Sequence, residues 1–245
     1  MKTETSKPSG YRWAVMLAFM AVAAINQLLW ITYAPVTSDA ASYYGVSTLS
    51  IGLLSMSFMI VFILVSIPAS WVIDRYGIRI AVGIGAVLTG VFGLLRGLAC
   101  SNYSLALSAQ IMIAVGQPFI LNAITSIAAR WFPADERATA SGLGSLSIYL
   151  GILLGMLITP LLALQFGMSR MLLIYGFISL IPALTFFIFV KERPADAPKT
   201  TEPEVRSLMF DGLRETFKSK NFLLLLAMFF VGLGAFHAVT TWIED

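Results

Sequence analysis

Few side chains in this sequence have the type and spacing for chemistry, and they favour binding over bond-making. The 245 residues include one histidine, His237, and one cysteine, Cys100. Neither a disulfide within the chain nor a Cys/His cluster with metal-ligand spacing can be drawn from them. Nothing pairs a nucleophile with a base or sets two acids for proton transfer, which argues against an enzyme and calls for no cofactor. What remains are polar and aromatic groups inside apolar runs. Asn26, Trp30, Tyr33 and Thr37 fall on one helical face at about 100° per residue. Gln110 and Gln117 are nearly eclipsed, with Pro118 beside the second, and His237, Thr240, Thr241 and Glu244 share a face near the end of the chain. An indole face attracts a cation by about 2 kcal/mol when desolvated, and an amide in lipid must face protein or water. Trp30, Gln117, His237, Asn26 and Tyr33 are therefore candidates for contacting a small organic solute. Each position keeps its plainer alternative: Trp30 as an interfacial belt residue, Gln117 as interhelical glue, His237 as a satisfied structural group.

The elements that must position these groups are membrane spans. Of the residues, 58% are hydrophobic and 12% charged, outside the balance of a soluble globular domain. The net charge of +3 does not point to nucleic acid, because the basic residues lie between apolar runs and form no stripe. A helix crosses roughly 30 Å of hydrocarbon with about 20 apolar residues. Seven such runs are predicted, from Trp13 to Pro35, Leu49 to Ile73, Ile78 to Ala99, Tyr103 to Ala129, Ala138 to Leu162, Met171 to Val190 and Phe222 to Trp242. Helix is the expected state, since unpaired backbone groups are costly in lipid and the runs lack the alternation of barrel strands. The fold class is thus an all-α membrane protein. Its expected parts are an amino terminus over 1–12, a six-helix bundle over 13–190, a linker over 191–220 and the first helix of a second bundle over 221–245.

Fourteen of the 16 Lys and Arg residues fall on one side of these spans. They are Lys2, Lys7 and Arg12, then Arg75 and Arg79, then Arg130 and Arg137, and seven more after the sixth span. Only Arg96 and Arg170 fall toward the other side. The positive-inside rule puts the amino terminus in the cytoplasm. The first apolar run continues past the length of a signal-peptide core, so it reads as a span despite Ala21-Val22-Ala23. The segment after the sixth span carries Pro194, Pro198 and Pro203 with both charge signs. It reads as a linker with one short amphipathic helix near Leu208 to Phe217. Six spans, a long linker and a new span are the arrangement expected where a second six-helix repeat begins. A truncated chain, whose partner is the carboxy-terminal six-helix half, is the corresponding expectation.

Between spans two and three runs Ser70-Trp71-Val72-Ile73-Asp74-Arg75-Tyr76-Gly77-Ile78-Arg79. A turn this short needs Gly77, which tolerates positive φ, and the Asp74 carboxylate can latch to a helix amino terminus or an arginine. A plain positive-inside turn is the alternative. Here the sequence resembles the major facilitator superfamily, whose second-to-third loop carries Gly-x-x-x-Asp-Arg/Lys-x-Gly-x-Arg/Lys, with Ser70 standing in the first glycine's place. The resemblance implies a secondary transporter working by alternating access, with Asp74, Arg75, Gly77 and Arg79 in its conformational gate. In the loop Ala129 to Ala138, Arg137 is a further gate candidate, while Trp131 reads as an aromatic-belt residue and Asp135 or Glu136 as the start of span five. Gly83, Gly90, Gly93 and Gly97 in span three, and Gly151 and Gly155 in span five, read as packing surfaces.

A narrower likeness rests on Gln27 to Tyr33, Ala114 to Leu121, Ala129 to Phe132 and Gly234 to His237. These segments are similar to the feline leukaemia virus subgroup C receptor-related branch, associated with choline, ethanolamine and haem transport. That likeness implies a quaternary ammonium solute held by a first-helix tryptophan, a fourth-helix glutamine and a seventh-helix tyrosine, and the plasma membrane is the expected residence. Trp30 and Gln117 match the first two, and His237 stands where the tyrosine would be. None of the first six spans carries an acid near its centre. Proton or sodium coupling would therefore rest on the missing half, His237 or Glu244, and uniport is equally open. A non-transporting receptor or membrane scaffold is the alternative of another class.

Overall fold

The computed structural model describes residues 10–99, 101–191 and 217–241, leaving out the side chains of residues 237, 240 and 241. The described residues are helical, without strands. Helix α1 runs Tyr11–Ile31, a 3-10 turn spans Ala34–Val36, and α2 (Thr37–Tyr44) caps the bundle before α3 (Thr48–Tyr76) returns. Then come α4 (Ile78–Leu98), α5 (Tyr103–Leu121), α6 (Ile124–Trp131), α7 (Arg137–Phe189) and α8 (Lys220–Thr241). Among the described residues, the segments holding α1, α3, α4, α5 with α6, and α7 are long and apolar enough to cross a membrane, while α8 carries a shorter apolar stretch. Most of the proposed linker, with its amphipathic helix, lies outside the described residues.

Several predicted spans differ in detail. The first stops being α-helical at Ile31, because Pro35 follows within a turn and lacks the N–H that would continue the ladder. The fourth is two helices, interrupted where Asn122 and Ala123 bond back to Pro118 and Ile120. The fifth and sixth are two helical arms within Arg137–Phe189 that meet directly at Gly167, where φ is 76°. That left-handed value is open to glycine and lets the chain reverse without a loop.

The bundle has two core clusters. The first gathers Val15, Phe19, Ile73, Ile78, Val82, Ile127 and Phe186 at the end where α1 begins, called here the basic end. The second gathers Leu29, Trp30, Tyr33, Tyr44, Ile113 and Tyr175 in the far half. Lipid offers no hydrophobic gain for helix contact, so close approach rests on small residues. A Cβ on Gly97 would meet the Leu172 carbonyl oxygen at 2.7 Å, and one on Gly176 would meet Leu94 Cα at 2.8 Å. These are the points where α4 crosses the second arm of α7. Gly151 abuts the Ala24 carbonyl, where α1 crosses the first arm.

Trp131 departs from its expected place in the aromatic belt. It is buried at 5% exposure, its ring centroid 6.0 Å from that of Tyr11. The break after α5 turns α6 inward, with Ile127, Ala128 and Trp131 in the core.

Candidate solute site and gate

At the basic end, α3 reaches Tyr76 and α4 starts at Ile78, with Gly77 serving as the cap of both. Gly77 has φ 88° and ψ 173°, which a Cβ would strain, and its N–H donates to the Ile73 carbonyl at 3.0 Å. Gly77 is buried, while Asp74, Arg75 and Arg79 are exposed around it. Ser70 stays inside: the Asn122 amide donates to Ser70 Oγ at 3.0 Å, to Ser66 Oγ at 2.9 Å and to the Ser66 carbonyl at 3.1 Å. The interruption between α5 and α6 is thereby tied to the helix that carries the motif. Nearby, Arg12 pairs with Glu136 at 2.8 Å and lies over the Phe132 ring at 5.8 Å. The Tyr11 hydroxyl donates to the Phe189 carbonyl. These contacts join the start of α1 to both ends of α7. Arg137 is exposed, its Nε donating to the Phe132 carbonyl at 3.2 Å.

The far half carries the polar interior. Asn26 is wholly buried and donates through Nδ2 to Thr89 Oγ1 of α4 at 3.0 Å and to the Ile113 carbonyl of α5 at 3.5 Å. Its own Oδ1 accepts from Gln27 Nε2 at 3.3 Å. One turn along α1, Trp30 is 2% exposed and its indole N–H donates to the Ser55 carbonyl of α3 at 3.1 Å. The Tyr33 and Tyr44 hydroxyls are 2.9 Å apart, and the Tyr103 hydroxyl donates to the Ser50 carbonyl at 2.7 Å. Those tyrosines roof the far end. Thr37 opens α2 and bonds back to the Tyr33 and Ala34 carbonyls. Gln117 is 7% exposed on α5, one turn beyond Ile113, and Gly116 beside it touches Gly85 of α4. The polar face of α1 thus points inward, each member meeting a different neighbour. His237 belongs to α8, but its side chain lies outside the described residues, with those of Thr240 and Thr241, and so does Glu244.

Arg96 was missed by sequence reasoning, which counted it as a charge toward the far side. It is fully buried on α4. Nη1 donates to the Leu29 carbonyl at 2.8 Å and to Gln110 Oε1 at 2.6 Å, and Nη2 donates to Thr32 Oγ1 at 3.3 Å. Its guanidinium carbon stands 5.3 Å from the centroid of the Tyr33 ring. Among the described residues it has no carboxylate partner, and its Nε has no hydrogen bond. Thr89 and Arg96, like Gln110 and Gln117, are seven residues apart on one helix, and that shared spacing was the available signal.

The sequence profile of the Major Facilitator Superfamily matches residues 15–244. Human choline/ethanolamine transporter FLVCR2 is 30% identical over 96% of this chain and 48% of its own length. Zebrafish (Danio rerio) solute carrier family 49 member A3 is 28% identical over 96% of this chain and 52% of its own length. Cat (Felis catus) choline/ethanolamine transporter FLVCR1 is 29% identical over 97% of this chain and 45% of its own length. The chain therefore spans about half the length of the curated relatives it matches. A crystal structure of a bacterial homologue of the human lysosomal transporter Spinster, inward-facing and unoccupied, superposes with a TM-score of 0.70 at 20% identity. It covers 87% of this chain and 50% of that one, which supports the fold. With the motif around Gly77, the helical bundle and a profile match over nearly its whole length, this multi-pass membrane chain belongs to the major facilitator superfamily.

Proposed function

We propose that this chain supplies one half of a secondary-type transporter that moves a choline-like amine across the plasma membrane by alternating access, its amino terminus in the cytoplasm. The observation that carries the reading is the match along 96% of the chain to a protein named as a choline/ethanolamine transporter, about half of which it spans. The carboxy-terminal half is the partner that would close the cavity. In this reading Trp30 offers its indole to the ammonium group, Gln117 offers an amide from α5, and Asn26 braces α1 behind them. Tyr33 closes the far wall, since its hydroxyl is engaged by Tyr44 and its ring by Arg96. His237 stands where the related branch carries a tyrosine, so His237→Tyr should tighten choline binding. Asp74, Arg75, Arg79 and Arg137 make the gate at the basic end, where water can compete for each charge.

Radiolabelled choline uptake into proteoliposomes holding both halves tests this. Trp30→Ala should lower uptake about thirtyfold, matching the loss of a desolvated cation–π contact of about 2 kcal/mol. Unchanged uptake would remove Trp30 from the site, and no choline uptake by the unaltered protein would reject the solute class.

A further inference from the structure

We propose that Arg96 is the positioning residue of the solute site, its guanidinium tying the last turn of α1, which carries Trp30, to α5, which carries Gln117. The inference rests on the solute site proposed above. Leu29 precedes Trp30, and its carbonyl accepts from Arg96 Nη1 at 2.8 Å. Thr32 follows Trp30 by two residues, and its hydroxyl accepts from Nη2 at 3.3 Å. One guanidinium therefore brackets the tryptophan on both sides. The same Nη1 donates to Gln110 Oε1 at 2.6 Å, and Gln110 Nε2 returns to the Leu29 carbonyl at 3.5 Å. Gln110 lies two helical turns before Gln117 on α5.

The need for such a tie arises at the end of α1. The helix ceases at Ile31, and the last carbonyls of a helix have no donor of their own. In a bilayer, water is not at hand to satisfy them. Thr32 turns its hydroxyl back to the Leu28 carbonyl at 2.8 Å, and Arg96 serves Leu29. The planar fork of arginine reaches acceptors on two helices at once, which the single ammonium of lysine does less well. The Tyr33 ring against the guanidinium, at 5.3 Å, fixes the residues that lead into the far roof. Of the proposed site residues, Arg96 meets Tyr33 directly, over whose ring its guanidinium stands. It acts by setting where Trp30 stands relative to Gln117.

Arg96→Lys and Arg96→Met, reconstituted in the complete transporter, separate this from a purely structural role. With labelled choline, Arg96→Met should raise KM about tenfold with Vmax within about twofold, and Arg96→Lys should raise KM about threefold. Fluorine NMR of fluorotryptophan-labelled protein, with the Trp30 signal identified by its loss in Trp30→Phe, should show that signal displaced in Arg96→Met and the Trp71 signal unmoved. An unchanged KM, with uptake falling only as folded protein falls, overturns the proposal. If the unaltered protein takes up no choline, the transport reading fails and the fluorine spectrum decides alone. A stationary Trp30 signal then overturns the positioning role. If Arg96→Met does not fold, Gln110→Leu and Thr32→Val break the tie one arm at a time, and each must raise KM for the proposal to stand.

Discussion

The two ends of the bundle handle polarity in opposite ways. At the basic end the core is apolar from Val15 to Phe186, and the motif's charged groups stay outside it, with Asp74, Arg75 and Arg79 exposed. In the far half the polar groups are the core: Asn26, Arg96 and Gln110 are fully buried, each bonded to another helix. Bonds that water can replace are suited to forming and breaking as a protein changes shape. Bonds in a dry interior cost too much to leave unmade and so fix geometry. We therefore propose that movement belongs to the basic end and registration to the far half.

The sharpest test uses one residue type on one helix. Gly97 of α4 lies in the far half against backbone, with the Leu172 carbonyl oxygen at 2.7 Å and Leu173 Cα at 2.9 Å from an added Cβ. Gly83 lies toward the basic end against the Phe187 ring at 3.1 Å, a side chain that can swing away. Gly97→Ala should lose about 3 kcal/mol of stability and Gly83→Ala about 1 kcal/mol or less, read as thermal denaturation in detergent. Equal losses would mean that both ends of α4 are equally rigid.

Next in size is the Arg12–Glu136 pair. Arg12→Met leaves Glu136, whose Oε2 is already buried without a partner, with no cation. It should cost about 2 kcal/mol and lower Vmax for choline while leaving KM alone. A KM effect would blur the division between the ends. Smaller still is Asn26→Leu, which removes the bonds to Thr89 and Ile113 and should cost about 1 kcal/mol. Thermal shift measures that loss, and a change under a few tenths would mean that Thr89 and Gln27 tolerate losing their Asn26 partner.

How far the sequence revealed this design differs between the ends for the same reason. Loop residues must satisfy local geometry, so Asp74, Gly77 and Arg79 sit at spacings that a reader can recognise, and Gly77 takes the positive φ that its place demands. Spans are legible because bilayer thickness fixes their length, and small-residue rows because helices must touch. Interior polar contacts depend on which helix neighbours which, and no single run states that. Arg96 looked like a charge near the far end because only packing brings it to Leu29 and Thr32. Trp131 looked like a belt residue because only the interruption at Asn122 turns α6 inward. The break between the fifth and sixth spans was legible between Leu162 and Met171, but its place at Gly167 was not, because the reversal takes a single residue and no loop.

The smallest stability effect is expected where the functional effect discriminates best. Asp74 is exposed on the last turn of α3, three residues before the turn at Gly77 and beside the start of α4. On the last turn of α3 a carboxylate opposes that helix's dipole while the start of α4 favours it, each by a few tenths of a kcal/mol at an exposed site, so Asp74→Asn should shift stability by less than about 0.5 kcal/mol. If Asp74 makes a contact in only one conformation, its loss changes how fast the conformations interchange and not how the solute is held. Uptake should then show Vmax reduced several-fold with KM within about twofold, the reverse of the pattern expected for Arg96→Met. Unaltered uptake by a normally folded Asp74→Asn would reduce the motif to a turn between two spans and leave the far half as the only part of this chain that shapes transport.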